Sequence, residues 1–472
     1  MLGNENLKID WFIIDKNNIY KFIKNGSIKK YIHNNKIKYE IQRDLNIKSL
    51  KWKLPNSLSF KNNDKINIRN LIMPKVLKIE KYAFANNNSL INVIMPSVKI
   101  IGKYAFKSNT SLKSINIPKV ITIGSYAFKD NTSLINVNAP EVVRVNDNAF
   151  EGDSSLTSVS MPRVTHIGES VFKNSINLRN IDMTNVTKIG SFAFANNESL
   201  KSINIPKVTE ILENTFINNI NLKNINIPNV TKIGSFAFEG NSSLKNLNIP
   251  KVIEIEEKAF GYNTCLRSVN MPKVTKIGDK AFLGNVLLKS INAPEVKWVG
   301  NWAFRENRSL IRVNMPKVTT IWPLAFYNNV SLTNVSMPNV YTIGSFAFAN
   351  NELLETINIK KVKVIEEGAF KRNNSLTSIN IPEVKEIGYG AFEENRFLTS
   401  VNMPEVAKID VSAFQDNNRL KSVKMPSVTT ISIKAFKGSH SLSFENSQLP
   451  ENMTNDDFKK IIEGSNWVKN HN

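Results

Sequence analysis

Phe84 is followed by another phenylalanine every 22 residues: Phe106, Phe128, Phe150, Phe172, Phe194, Phe216, Phe238, Phe260, Phe282, Phe304, Phe326, Phe348, Phe370, Phe392, Phe414 and Phe436. Seventeen phenylalanines with no insertion or deletion between them require seventeen copies of one supersecondary unit, each stacked on the next. Such a chain folds as a repeat solenoid, because a single short unit cannot bury its own apolar side chains without neighbours. The period also overrides the division into several separate cores that a length of 472 residues would otherwise imply.

One copy reads Leu112-Lys-Ser-Ile115-Asn116-Ile117-Pro118-Lys-Val120-Ile-Thr-Ile123-Gly124-Ser-Tyr126-Ala127-Phe128-Lys-Asp-Asn131-Thr-Ser133. The Leu-x-x-Ile-x-Ile opening is that of a leucine-rich-repeat strand, with alternate apolar side chains inward and Ser114 and Asn116 outward. Parallel strands of successive copies are expected to stack into one long sheet. A leucine stands six residues after every ladder phenylalanine, from Leu90 to Leu442, and a valine closes every Pro-x-Val step, from Val76 to Val428. The next apolar position is Ile or Val throughout, from Ile79 to Ile431. Each coil thus offers about six or seven side chains for burial, each worth roughly 1.5–3 kcal/mol when fully buried. Proline ends the strand in fifteen copies, with Thr184 and Lys360 as the exceptions. The β-branched Val-x-x-Ile step predicts a second, shorter strand on another face. Asn stands three residues after Phe in fourteen copies, and Asp153, Ser175 and Ser439 replace it. An asparagine stacked at a corner satisfies turn amides through its side chain, so this column reads as structural.

Three parts follow. Residues 1–67 do not keep the period. Between Trp11 and Ile41, β-formers alternate with Asn17-Asn18, Asn25-Gly26 and Asn34-Asn35, which predicts two or three short antiparallel strands. Leu50–Phe60 reads as a degenerate first coil. This part is expected to be an N-terminal cap or a small separate domain. Residues 68–440 form the array. Residues 441–472 are expected to cap its far end. Thr454-Asn455-Asp456-Asp457 has the chemistry of a helix start, the helix runs to about Glu463, and Phe458, Ile461, Ile462 and Trp467 are placed to cover the last coil.

The formal charge is +22, distributed as +8 over residues 1–67, +16 over the array and −2 over residues 441–472. Such a field favours acidic partners, although charge also serves solubility. A single cysteine, Cys265, excludes an internal disulfide. The N-terminal residues lack the pattern of a signal peptide and no run is long enough to span a membrane, which predicts a cytoplasmic protein. Four histidines, His33, His166, His440 and His471, share no motif, and no phosphate loop, zinc motif or nucleophile elbow occurs. No catalytic residue, metal site or cofactor is expected, and the chain reads as a non-enzyme.

The pattern Leu-x-x-Ile-x-Ile-Pro…Val-x-x-Ile-Gly-x-x-Ala-Phe-x-x-Asn resembles the BspA-type leucine-rich repeats over residues 68–442, and the Ile-Gly…Ala-Phe step is its most distinctive part. The coil departs from that family's unit by having one residue fewer after the proline, and by Asn where the family often has Cys. The resemblance implies a superhelical or arc-shaped solenoid with a role in adhesion or protein binding; with the period, the expected fold is a right-handed superhelix of seventeen coils, capped at both ends. It carries over no catalytic residues. It also makes the cell surface the alternative to the cytoplasm.

Three stripes of the coil are candidate binding surfaces. The residue after each conserved Leu is basic in six consecutive coils: Arg179, Lys201, Lys223, Lys245, Arg267 and Lys289. At ~4.8 Å per strand these would form a basic rail ~25 Å long, whose mutual repulsion a polyanion or acidic groove would relieve. Beside it runs a polar sheet face that includes Ser202, Asn204, Asn224, Asn226, Asn246, Asn248, Ser268, Asn270, Ser290 and Asn292, suited to a peptide or a glycan. A third stripe, two residues before Phe, holds Tyr82, Tyr104, Tyr126, Phe192, Phe236, Trp302 and Phe346, with Trp298 and Trp322 near Trp302. These aromatics are either lids over the Phe ladder or interface anchors, and Trp298, Trp302 and Trp322 form the patch most suited to anchoring. The expected partner is a protein or an anionic glycan. A nucleic acid has no motif to support it, and a monomer is expected. A passive spacer or coat component is the alternative function.

Overall fold

The coil closes through two strands and one unusual corner. The computed structural model describes residues 69–73 and 76–469, together with the backbone of six strand segments nearer the N-terminus. The degenerate coil read at Leu50–Phe60 lies outside the described residues. In the copy opened by Leu112, the first strand is Ser114–Asn116 and the second is Thr122–Ile123. Leu112, Ile117, Val120, Ile123, Ala127 and Phe128 are fully buried and Ile115 nearly so. The first strand is therefore shorter than its sequence pattern, since the flanking Leu and Pro steps leave it.

The corner was not legible in the pattern. Tyr126 and Asp130, two residues either side of Phe128, have φ of 59° and 63°. The same two positions are left-handed in every coil from Tyr82 to Gly438. This alternation aims successive amides along the stack: Tyr126, Phe128 and Asp130 N–H donate to Asp147, Ala149 and Glu151 carbonyls of the next coil at 2.9, 2.8 and 2.8 Å. Between the left-handed residues each phenylalanine points inward and stacks on its neighbour. Ring centroids lie 5.2–5.5 Å apart from Phe84 to Phe216 and 5.1–5.4 Å apart from Phe238 to Phe436. Offset-stacked pairs of this kind add to the area that each ring buries.

Beside the phenylalanines runs the asparagine column, buried and hydrogen-bonded in two directions. Asn109 Nδ2 donates to Phe106 O at 2.7 Å in its own coil and to Phe84 O at 2.9 Å in the preceding one. Its Oδ1 accepts from Asn87 N–H at 2.7 Å. The side chain thus satisfies turn groups of two coils at once.

The chain forms two compact units, Met1–Ile227 and Pro228–Asn472. In the first, strands Asn70–Ile72 to Asn180–Asp182 pair in parallel on one face and Lys78–Ile79 to Lys188–Ile189 on the other. Trp11–Ile14 pairs in parallel with Asn70–Ile72 and antiparallel with Tyr20–Ile23, while Ile28–His33 and Lys36–Ile41 form a hairpin. In the second unit the second-face strands run without a break from Lys232–Ile233 to Thr430–Ile431. The long sheet is therefore on this second face. The first face of the same unit is divided into three ladders of three strands, covering 246–292, 312–358 and 378–424. Ile291 and Ile357, the middle residues before two interruptions, are only half-buried.

Beyond the last coil, the helix Asn455–Glu463 starts at Thr454 with a reciprocal capping box to Asp457 and ends at Gly464, φ 110°. Phe458, Ile461 and Trp467 are buried and Ile462 is half-buried. Gly464 O accepts from Lys434 N–H at 2.9 Å, and Trp467–Val468 pairs antiparallel with Thr430–Ile431. The segment supplies the bonds that a further coil would otherwise supply.

Candidate interaction surfaces

Period-2 alternation turns the first and third residues of each first-face strand outward, and the parallel register sets equivalent residues side by side. Their side chains bond along the stack. In the first unit Asn226 Nδ2 donates to Asn204 Oδ1 at 2.8 Å. In the second, Ser268 Oγ donates to Asn246 Oδ1 at 2.9 Å, Asn270 Nδ2 to Asn248 Oδ1 at 2.8 Å, and Asn292 Nδ2 to Asn270 Oδ1 at 2.7 Å. An amide within such a row, as at Asn270, spends one donor and one acceptor on its two neighbours and keeps the rest for solvent or a ligand. Ser202 and Asn224 are exposed on the same face, as is Ser290. This face also carries shallow depressions. One of about 390 Å³ is lined by Asn136, Ser158, Arg179, Asp182, Ser202 and Asn204. Another, of about 350 Å³, lies over strands 378–424 of the second unit.

The six rail cations are all exposed at the edge of this face, Arg179, Lys201 and Lys223 in the first unit and Lys245, Arg267 and Lys289 in the second. Backbone bonds tie their register: Lys223 N–H donates to Lys201 O at 2.9 Å, Arg267 N–H to Lys245 O at 2.7 Å and Lys289 N–H to Arg267 O at 2.9 Å. None of the six forms an ion pair among the described residues. Elsewhere the coil spacing routinely brings opposite charges together, as in Lys129–Glu151 and Lys371–Glu393, both 2.7 Å, and Arg372–Glu394 at 3.1 Å. The Arg372 hydrogen bond holds the Glu394 carboxyl below its ordinary range. On the second face His166 is pushed below the usual histidine range by burial and by Arg144 and Lys188, its register partners on either side.

The aromatic patch is brought together in part. Trp298 and Trp322 lie 5.9 Å apart at 59°, and Trp322 is 41% exposed. Trp302 instead lies under the Arg305 guanidinium, 4.2 Å from its ring centre. Trp302 also occupies one of the left-handed positions, as do Tyr82, Tyr104, Tyr126, Phe192, Phe236 and Phe346. Among the described residues no group of three or more His, Cys, Asp or Glu is placed to hold a metal, and no helix is long and apolar enough to cross a membrane.

The asparagine column contains eight Asn-x-Ser/Thr sequons, at Asn87, Asn109, Asn131, Asn197, Asn241, Asn307, Asn329 and Asn373. All but Asn87 are fully buried. In Asn109 and Asn373 the amide nitrogen that a glycan would occupy is already spent on phenylalanine carbonyls. Expressed in a eukaryotic secretory pathway, the folded fraction should show no deglycosylation mobility shift from these buried sites. Chains carrying glycans there should remain in the aggregated fraction. A folded, monodisperse product with a glycan mapped to Asn109 or Asn373 would contradict this.

The chain is similar to a leucine-rich repeat protein from Bacteroides ovatus, with 21% identity over 92% of this chain and 100% of the other and a TM-score of 0.44. It is also similar to a leucine rich cell surface protein from Faecalibacterium prausnitzii, with 20% identity over 94% and 98% of the two chains and a TM-score of 0.29. A leucine-rich repeat protein from Eubacterium ventriosum matches at 18% identity over 91% and 96%, with a TM-score of 0.32. No curated protein matches the chain. The model of the BspA type leucine-rich repeat region matches residues 56–179, 143–267, 253–373 and 341–460. Repeats of this kind are scaffolds for protein interaction and surface adhesion. With matches running almost unbroken through the coils built above, the chain belongs to the BspA-type leucine-rich repeat family.

Proposed function

We propose that this chain is a non-enzymatic binding scaffold that presents its polar first face, edged by the rail cations, to an acidic protein partner. The observation that supports this most is the absence of ion pairs at Arg179, Lys201, Lys223, Lys245, Arg267 and Lys289 among the described residues, in a chain whose coil spacing pairs many other charges. Within each unit, three like charges in register are unfavourable until a partner neutralises them, and rim charges of this sort act chiefly on encounter rate and salt dependence. The neighbouring rows of Ser and Asn supply oriented donors and acceptors that a partner's backbone can use.

The test reverses Lys223, Lys245 and Arg267 to glutamate and compares capture of acidic proteins from native lysate and surface fractions. A control reverses Lys207, Lys251 and Lys273, which are exposed elsewhere on the coil. The rail variant should lose its partner by at least about tenfold with an unchanged melting temperature, while the control keeps it. Equal capture by wild type and rail variant would favour a passive spacer instead.

A further inference from the structure

On the corner of three consecutive coils of the first unit, Tyr82, Tyr104 and Tyr126 form a parallel stack. Their ring centroids are 4.7 Å apart at each step, with interplanar angles of 2° and 15°. Lysines interleave with them. Lys81 Nζ lies 4.9 Å from the Tyr82 ring centre, Lys103 lies 5.1 Å from Tyr104 and 5.6 Å from Tyr126, and Lys107 lies 5.8 Å from Tyr104. Lys129 stands 5.7 Å from Tyr126 but is paired with Glu151. Lys81, Lys103 and Lys107 make no ion pair among the described residues, and none of the three phenol hydroxyls has a hydrogen-bond partner there. The acidic groups nearest in sequence are otherwise engaged or few: Glu80 pairs with Lys78 at 3.1 Å, Glu151 with Lys129, and Asp130 follows Lys129.

The tyrosines hold φ of 61°, 58° and 59°, the left-handed conformation that this position takes in every coil. The same position is filled by Gly368 and Gly390 in other coils, so the fold does not require a large side chain there. Nor does an aromatic at this position need its hydroxyl, since Phe192, Phe236 and Phe346 take it elsewhere. The run of three tyrosines leaves a line of phenol hydroxyls and ammonium groups without hydrogen-bond or ion-pair partners among the described residues, and Tyr82 is 49% exposed.

We propose that the edge formed by Tyr82, Tyr104, Tyr126, Lys81, Lys103 and Lys107 binds a sulfated polysaccharide. Ester sulfates offer acceptor oxygens and negative charge, which match hydroxyl and ammonium donors repeated along a line. A single-stranded nucleic acid fits less well. Its bases need open ring faces to stack on, and here both faces of Tyr104 are covered by Tyr82 and Tyr126. At Tyr104 only the ring edge is presented.

The experiment titrates the full chain with dextran sulfate, unsulfated dextran and a dT oligonucleotide of similar length. One variant replaces all three tyrosines with phenylalanine, which keeps stack and charge and removes the hydroxyls. A second replaces Lys81, Lys103 and Lys107 with glutamine. A third removes the same charge at Lys207, Lys251 and Lys273. Dextran sulfate should bind and dextran should not. The lysine variant should weaken binding about tenfold and the phenylalanine variant about threefold, with the charge-matched control within about twofold. The proposal is overturned if the control loses as much affinity as the lysine variant, or if the phenylalanine variant binds as wild type does. It is also overturned if the oligonucleotide binds as tightly and is weakened by the same substitutions, which would assign the corner to nucleic acid. Circular-dichroism melts of each variant confirm that the coils stay folded. Rail reversal addresses a different surface, so failure of one reading leaves the other standing.

Discussion

Asn373→Ala should destabilise the coils around it by about 3–5 kcal/mol, the combined effect of three lost buried hydrogen bonds and one orphaned amide. The side chain is fully buried. Its Nδ2 donates to Phe370 O at 2.7 Å and to Phe348 O at 2.9 Å, and its Oδ1 accepts from Asn351 N–H at 3.2 Å. Each carbonyl keeps a second donor, since Asn351 Nδ2 reaches Phe348 O and Asn395 Nδ2 reaches Phe370 O. The Asn351 N–H keeps none from this column, and water has no route to it, so alanine leaves a buried donor unsatisfied. Natural replacements grade the effect. Ser175 and Ser439 retain a single bond each, to Phe150 O at 3.3 Å and Phe414 O at 3.2 Å. Asn373→Ser should therefore fall between wild type and Asn373→Ala. Because a solenoid's stability is a sum of coil and interface terms, the lesion should also uncouple the array locally. Urea denaturation should show a lower midpoint or a split transition, and amides on both sides of coil 373 should exchange faster. A midpoint within experimental error of wild type would show that the column does not bind the coils together.

Much of this architecture is legible in residue identity, and the parts that are not share a cause. The inward column of Leu, Val, Ile and Phe is read directly because burial selects residue type at each position. The asparagine column is legible for the same reason, since only a short side chain with both donor and acceptor bridges two coils. The left-handed corner is not, because its first position holds Tyr, Phe, Trp, Lys, Leu and Ser as well as Gly and Asn. Its second position is more telling: Asn86, Asp130, Gly152, Asn174 and Gly240 are residues that tolerate positive φ, and averaging over copies reveals it. The divisions of the first face are not legible at all. Ser-Ile-Asn occurs at 114, 202, 290 and 378, yet only the strand at 290–292 ends a ladder in the second unit, whereas 378–380 begins one. The triplet itself does not encode the division, since identical copies take different places in a ladder. For the surfaces, the sequence supplies which residues recur; which cations lack a carboxylate depends largely on contacts about one coil apart, 19 to 24 residues along the chain.

Asp153→Asn should stabilise the protein at neutral pH, and the gain should shrink as the solution is acidified. Asp153 takes the place of asparagine in the buried column and is itself fully buried. Its Oδ1 accepts from Asn131 N–H at 2.8 Å, as an asparagine would, but its Oδ2 has no partner among the described residues. In Asn109 the second polar atom is a nitrogen that donates to the carbonyls of its own and the preceding phenylalanine. The matching carbonyls for Asp153 are those of Phe150 and Phe128, and a carboxylate has no hydrogen to give them. Burial pushes the Asp153 carboxyl well above the ordinary range, the Asn131 hydrogen bond opposes this, and the nearby Asp130 charge adds to it. The folded chain therefore holds this proton more tightly than the unfolded chain, whose aspartate titrates near about 3.9. Below that value both states are protonated and the group contributes no pH dependence. As pH rises toward the raised folded value, the unfolded state releases its proton first, and folding loses up to about 1.4 kcal/mol per pH unit. Above it both states are ionised and the loss is constant. The difference between Asp153→Asn and wild type isolates this one group, since all other carboxylates are common to both proteins. Urea midpoints measured from pH 4 to pH 8 should diverge as pH rises until the raised folded value is passed and stay apart above it, with the variant ahead. A gap that is flat across this range, or that closes as pH rises, would mean that Asp153 is ionised and well solvated in the fold, and that the column has an opening to water at that coil.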